Sequence, residues 1–330
     1  MPILGGMNAP WGAVDPLGET LHFLRMDGTL YCRSEFSAPW ALALPELAGC
    51  LMFHVVVAGE CWLEVAGTVP RLLRPGDLAL VPHGAGHRIA SAPGLPGTRL
   101  FDLPREAVGE RYEVLRHGGG GAAASVVCGV VHFDHPAARQ LVAALPQLIV
   151  IDAAQQPQQE WLQSTLHFMA AEARSLRPGG ETIVTRLADI LVIQAIRTWI
   201  ERDPVAQTGW LGALRDEQIG RALTLIHHEP SRDWTVASLA TEIAMSRSAF
   251  AARFAALVGE PPMRHIARWR MHVALDWLTE GRATLGEVAL RLGYGSEAAF
   301  SRAFKRCLGV SPGAARRQQE QAHDQRAALA

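Results

Sequence analysis

The chain has 330 residues, 49% of them apolar, and a formal net charge of −1. That length supports two or three domains with their own cores, and the absence of an 18-residue apolar run or a charged-then-apolar leader excludes, as an expectation, a membrane span and secretion. Five Cys, an odd number without a C-x-x-C pair, argue against a disulfide framework or a zinc finger and point to a reduced cytoplasm.

In chain order, the first informative stretch runs from about residue 50 to 90. Short apolar runs at Leu51–Val57, Cys61–Val65, Arg71–Leu73 and Leu78–Val81 are separated by the turn signals Ala58-Gly59-Glu60 and Arg74-Pro75-Gly76-Asp77. This pattern predicts an antiparallel β-meander. The Gly-rich run Gly118–Gly121 with Ala122–Ala124 reads as a flexible loop rather than a phosphate cradle, because no Gly-Lys-Ser/Thr follows it. The apolar run Val126–Val131 reads as a late strand holding Cys128, while Cys32 lies in a polar stretch beside Arg33, a cation that favours a reactive thiolate. The plainer alternative is that Cys61, Cys128 and Cys307 are small buried hydrophobes.

Helical periodicity follows at Gln158–Leu176 and Thr182–Ile200, broken by Arg177-Pro178-Gly179-Gly180. Ile183, Leu187, Ile190, Leu191, Ile196 and Trp199, with Trp161, Leu162 and Phe168, give more apolar surface than one exposed helix face needs. Two uses are open: packing onto the preceding sheets, or a dimer surface. Asp203–Leu214, with Pro204 and two Gly, reads as an interdomain linker.

The last third repeats itself. Phe250-x3-Phe254-x4-Gly259-x2-Pro262 recurs as Phe300-x3-Phe304-x4-Gly309-x2-Pro312. Upstream of each copy is a short amphipathic segment, with Val236, Leu239, Ala240 and Ile243 in the first and Val288, Ala289 and Leu292 in the second. Thr235 and Ser246 cap the first pair of helices, with Phe250, Phe254 and Leu257 on the buried face. A Thr284-x-x-Glu287 capping box and Ser296 cap the second pair, with Gly293-Tyr294-Gly295 as its turn. Two copies of one unit predict tandem helix-turn-helix modules. Between them, Met263–Glu280 predicts a helix about 27 Å long, a rod suited to holding two recognition helices near successive major-groove segments, which recur about every 34 Å. Residues 221–320 carry 14 Arg or Lys against 9 Asp or Glu, whereas residues 1–220 carry 16 against 22. The basic third is the footprint of phosphate contact.

With these residues in view, the last hundred resemble the DNA-binding domain of the AraC/XylS transcription regulators. The resemblance covers both modules, the linking helix and the closing Gly309-Val310-Ser311-Pro312. It implies that the second helix of each module enters the major groove of double-stranded promoter DNA. The positions presented there are Arg247, Ser248, Ala251 and Ala252 in the first module, and Ser296, Glu297, Ala298, Ser301 and Arg302 in the second. Arg302 is the best direct base reader, because Ser and Ala lack a bidentate contact; Arg247, Arg253 and Lys305 belong on phosphates.

Gly76-x5-Pro82-x-Gly84-x2-His87 and Gly49-x4-His54-x-Val56-x3-Glu60-x6-Gly67 are similar to the two motifs of the cupin barrels. The resemblance implies a cupin-like jelly roll and places His54, Glu60, His83 and His87 as candidate effector-binding residues. Val56 stands where metal-dependent cupins have a second His, so the expectation is no metal and no cofactor, with His54, Glu60 and His87 the set that resembles ligands and His83 a substitute. The expected architecture is α+β and multidomain. A β-barrel sensor spans 1–135, a helical dimerisation region 136–205, a linker 206–215, an all-α tandem helix-turn-helix domain 216–320, and a tail 321–330. The resemblance further implies a homodimer that meets RNA polymerase, no membrane, no catalysis, and a signal that is a small effector or, alternatively, an oxidant acting at Cys32 and Cys128. A cupin metalloenzyme fused to a DNA-binding tail is the remaining alternative.

Overall fold

The computed structural model describes residues 26–109, 111–133, 136–152, 177–279 and 283–317, with Gly18, Leu21 and six residues between 164 and 172. The chain divides into two compact units, whose described parts lie chiefly in Leu24–Arg202 and Asp203–Gln319.

The first unit contains β1 (Met26–Ser37), β2 (Ala41–Leu44), β3 (Cys50–Ala58), β4 (Cys61–Val65), β5 (Arg71–Leu73), β6 (Leu78–Val81), β7 (His87–Ala90), β8 (Thr98–Arg99), β9 (Arg105–Ala107), β10 (Tyr112–Gly118), β11 (Ala123–Phe133) and β12 (Ile149–Ile151). They form a seven-stranded sheet, ordered β12-β6-β3-β11-β1-β10-β9, and a five-stranded sheet, ordered β5-β4-β7-β2-β8. The expected barrel is therefore an open jelly roll, since the edge strands of one sheet do not pair with those of the other. The strands predicted at 51–81 are all present. Their alternation decides which side chains enter the core. Met52 and Val56 of β3, Cys61 and Leu63 of β4, Ile89 of β7 and Val126 of β11 meet in one apolar layer between the sheets.

Leu51, Phe53 and Val55 alternate with the inward set and are buried as well. The cover on that outer face includes α2 (Gly180–Arg202), which follows α1 (Pro136–Ala143) in the chain and packs on β1, β6 and β12. Val184, Ala188, Leu191, Val192, Ala195, Ile196, Trp199 and Ile200 of α2 are buried. Packing within one chain thus absorbs most of the apolar excess seen in the sequence; Ile183 and Ile190 stay exposed. Most of the helix predicted at 158–176 lies outside the described residues, although Phe168 and Met169 are helical.

The Gly-rich connector is tied down, contrary to the expectation of a flexible loop. Gly119 N–H donates to the Ser37 carbonyl at 2.7 Å and Gly121 N–H to that of Ala38 at 2.7 Å, while Ala123 and Ala124 already belong to β11. Gly118 has φ +140, and a Cβ there would lie 1.9 Å from the Ser37 oxygen, so the close approach needs glycine.

The second unit contains α3 (Gly209–Ala213), α4 (Glu217–His228), α5 (Val236–Glu242), α6 (Arg247–Val258), α7 (Pro262–Thr279), α8 (Leu285–Arg291) and α9 (Glu297–Leu308). The predicted linker is a correction. Val205–Gln207 forms a 3₁₀ turn, and α3 packs against α6 with Leu211, Ala213 and Leu214 buried. The apolar residues of that stretch have a core to enter, so the stretch folds with the DNA-binding unit.

Within each module the expected caps are formed. Thr235 and Ser238 make a reciprocal box on α5, as Thr284 and Glu287 do on α8. Ser246 and Ser296 accept from Ala249 N–H and Ala299 N–H, both at 3.2 Å. Phe250, Phe254, Phe300 and Phe304 are fully buried; Val258 fills the place expected for Leu257, which is half-buried. The two turns hold the same left-handed backbone, at Ala244 (φ 54) and Gly293 (φ 78). An L-residue in that region costs about 1–2 kcal/mol, which glycine avoids. Gly293→Ala is therefore expected to lower stability by about 1 kcal/mol, and Ala244→Gly to be neutral or stabilising, as read from urea midpoints.

Candidate functional site

Two sites emerge, one in each unit. The first is the exposed face of the two helices that follow the turns, α6 and α9. On α6, Arg247, Ser248 and Ala252 are exposed and Ala251 is half-buried. Arg253 does not stand free for phosphate. Its Nε donates to Asp216 at 3.1 Å, and Asp216 is itself the N-cap of α4, so this pair braces the module. On α9, Ala298, Arg302 and Lys305 are exposed and Ser301 is half-buried. Ser296 spends its hydroxyl on the cap. Glu297 is turned back on α8: a Cβ at Gly286 would lie 2.6 Å from its Oε1. Sequence reasoning passed over Arg306, exposed and four residues after Arg302, a spacing that puts both on one helix face. Arg302, Lys305 and Arg306 thus give α9 three cations in one and a half turns, while α6 offers only Arg247 and small side chains.

A guanidinium fork satisfies guanine O6 and N7 together, whereas an ammonium on phosphate carries no sequence information. Arg302→Ala is expected to reduce discrimination between specific and random DNA by about 1–3 kcal/mol. Lys305→Ala is expected to weaken both alike, the two constants being compared by competition anisotropy.

The second site is the interior of the jelly roll. Strand register lays out a row on its inner face: His54 of β3 opposite Cys128 of β11, and Cys128 opposite Cys32 of β1. His87, the first residue of β7, reaches this row from the other sheet. His54 Nδ1 lies 3.0 Å from Cys128 Sγ, His54 Nε2 lies 2.7 Å from His87 Nε2, and His87 Nδ1 lies 2.8 Å from the Ala85 carbonyl oxygen. A carbonyl only accepts, so His87 Nδ1 carries its proton and neutral His87 accepts at Nε2. His54 then donates from Nε2 and accepts at Nδ1, and the donor there is the Cys128 thiol. One neutral, directional chain runs from Cys128 through His54 and His87 to Ala85.

Burial, reinforced by His87, holds His54 well below the ordinary histidine range, and burial lowers His87 too. Burial also pushes Cys128 well above the usual thiol range and Cys32 up to about 11. The expected activation of Cys32 by Arg33 is therefore overturned. Cys32 is buried in the core layer between the sheets, and the neighbouring guanidinium pairs with Glu35 at 3.0 Å.

Glu60 and His83 do not join the row. Glu60 is exposed on the β3–β4 turn and pairs with Arg74 at 3.4 Å; His83 is exposed with Nε2 2.9 Å from the Leu145 carbonyl oxygen. Spacing brought these residues together on paper because cupin motifs are read along the chain, whereas strand alternation sends only His54 inward with His87 to meet it. Among the described residues no group of three or more His, Cys, Asp or Glu is arranged to hold a metal ion. No helix among them is long and apolar enough to cross a membrane.

A jelly roll with a buried polar row and a helical unit with two capped helix-turn-helix modules define a cupin-like domain and a DNA-binding domain in one chain. A family described as "Cupin" matches residues 15–201, and one described as "Helix-turn-helix domain" matches residues 239–318. A putative AraC-like transcription regulator of Streptomyces lividans is 35% identical over 91% of this chain and 97% of its own length. The HTH-type transcriptional regulator AlkR of Acinetobacter baylyi is 30% identical over 91% of this chain and 98% of its own. Among solved structures, the DNA-binding domain of AdpA in complex with a target DNA is 30% identical, with a TM-score of 0.30, over 32% of this chain and 95% of that one. The chain belongs to the AraC-like transcription regulators that carry an N-terminal cupin domain.

Proposed function

We propose that this regulator acts as a cytoplasmic homodimer without enzymatic activity, that its jelly roll receives the signal, and that its DNA-bound form engages RNA polymerase. The observation that carries the sensor reading is the polar row His54–Cys128–Cys32 with His87, placed inside an otherwise apolar core. A core that needed only stability would fill those positions with aliphatic side chains, since buried polar groups must all be satisfied. The signal is a small effector acting on this row, centred on His54 and His87. The exposed Ile183 and Ile190 of α2, with half-buried Leu187 between them, supply an apolar stripe for the partner protomer.

The oxidant reading gains support from one observation: Cys32 and Cys128, separated by almost a hundred residues of sequence, are register partners. The experiment is to recover the bound promoter fragments genome-wide, then measure binding of the full chain to them with and without inducing conditions. His87→Ala is expected to blunt the response to a small effector. A response unchanged by His87→Ala, Cys32→Ser and Cys128→Ser would remove the jelly roll as the input.

A further inference from the structure

We propose that a cavity on the outer face of the large sheet, under the start of α2, binds a small apolar α-amino acid. The site stands apart from the His54–His87 row. Only its consequence for DNA rests on the jelly roll being the sensor.

The cavity has a volume of about 390 Å³, within the range of roughly 300–1,000 Å³ usual for small-molecule sites. Val108 and Gly109 of the β9–β10 turn, Tyr112 of β10, and the first turn of α2 with Arg177 before it form its walls. Tyr112 pairs in parallel register with Tyr31. Tyr31 adjoins Cys32, which enters the core between the sheets, so alternation puts both tyrosines on the outer face. The cavity and the histidine row therefore lie on opposite faces of one sheet.

Tyr112 is the clearest sign of a ligand. It is 2% exposed, and its hydroxyl is buried without a hydrogen-bond partner. An unmet buried hydroxyl costs free energy that a bound acceptor would recover. Burial pushes this phenol above its ordinary range, so it remains a donor. The backbone adds further donors. Gly180 N–H donates to the Arg177 carbonyl at 2.8 Å and Ile183 N–H to that of Gly179 at 3.2 Å. Among the described residues, the N–H groups of Glu181 and Thr182 between them have no backbone acceptor. With the exposed cation of Arg177, the start of α2 suits a carboxylate.

A second charge narrows the ligand class. Glu181 also lines the cavity, and its carboxylate lies against Gly109, where an added Cβ would overlap it. A bare anion such as phosphate is repelled by Glu181, and a bare amine by Arg177 and the helix start. A zwitterion satisfies both ends. Val108, Val184 and the Tyr112 ring leave an apolar wall for its side chain. Occupancy has a route outward, because Tyr31, the partner of Tyr112, donates to Asp189 Oδ1 of α2 at 3.0 Å. That helix carries the exposed Ile183 and Ile190.

The test titrates L-valine, L-leucine and L-phenylalanine into the full chain by calorimetry. At least one is expected to bind saturably with a Kd below about 1 mM. Isocaproate and isoamylamine, which are leucine without its ammonium or its carboxylate, are expected to bind about 10-fold more weakly or worse. Tyr112→Phe is expected to weaken binding about 10-fold while raising the urea midpoint of the unliganded chain, because it removes an unmet hydroxyl. A merely structural tyrosine would lose stability instead. Arg177→Gln and Glu181→Gln, both at exposed positions, should each weaken binding about 10-fold. His87→Ala should leave it unchanged. Failure of all three amino acids to bind would overturn the proposal, as would equal affinity for isocaproate. Binding lost in His87→Ala but kept in Tyr112→Phe would move the ligand to the row and overturn this site. Binding that follows the three cavity variants but leaves promoter affinity unchanged keeps the site and refutes the jelly roll as sensor.

Discussion

Binding of the fragment Asp203–Gln319 to DNA will weaken by roughly 40-fold between 50 and 200 mM salt. Among the described residues, Arg247, Lys305 and Arg306 are exposed cations on α6 and α9 available to phosphate, with Arg302 kept for the bases. Each phosphate they neutralise releases counterions, and the logarithm of the binding constant falls by about 0.9 per contact for each logarithm of salt. Three contacts over a fourfold change in salt give the stated loss. The boundary of the fragment matters as much as its charge. A fragment cut at residue 216, where the sequence alone places the domain start, discards Leu211 and Leu214, whose burial is worth about 1.5–3 kcal/mol each. It also starts at Asp216, the residue that caps α4 and pairs with Arg253. The shorter fragment is expected to unfold at lower urea and to bind DNA more weakly at equal salt. Salt-independent binding of the longer fragment would refute phosphate contact as the source of its affinity.

Acidification from pH 7.5 to 5.5 will destabilise the jelly roll by about 1.4 kcal/mol for each core histidine that stays neutral when folded. The sign follows from the direction of the shifts. His54 and His87 are held below the ordinary histidine value by burial, so the unfolded chain binds more protons than the folded one once pH drops through about 6.5. Their contribution is intact above that pH and is lost progressively below it. Asp189 works in the opposite sense, because burial raises its carboxyl, and acid relieves that cost. Glu64, Glu260 and Glu287 are held low by hydrogen-bond partners and add their loss only at more acid pH. Urea midpoints of the full chain across this window read the effect. His54→Gln should flatten the slope, and a pH-independent midpoint in the wild type would contradict a neutral buried row.

The helix-turn-helix modules were legible because every signal that defines them is local. Caps, the left-handed turn, the Phe-x3-Phe pairs and the closing glycines each lie within a dozen residues, and helical geometry converts that spacing directly into faces. The exceptions are side chains whose partners come from elsewhere in the unit. Arg253 found Asp216, thirty-seven residues earlier, and left the set of phosphate contacts. Glu297 folded onto Gly286 of the preceding helix.

The sequence by itself determined the order of the strands from residue 51 to 81, the two capped modules and the basic character of the last third. Tertiary structure alone decided which residues meet. Strand pairing brings Cys32 to Cys128 and Cys128 to His54 across separations that no local period encodes. The same pairing leaves Glu60 on a turn, four residues beyond the last inward side chain of its strand. The physical reason is that period-two alternation fixes the face of a side chain, whereas register with a distant strand fixes its neighbour. Only the neighbour decides whether a buried thiol is inert filler or the donor to a buried histidine.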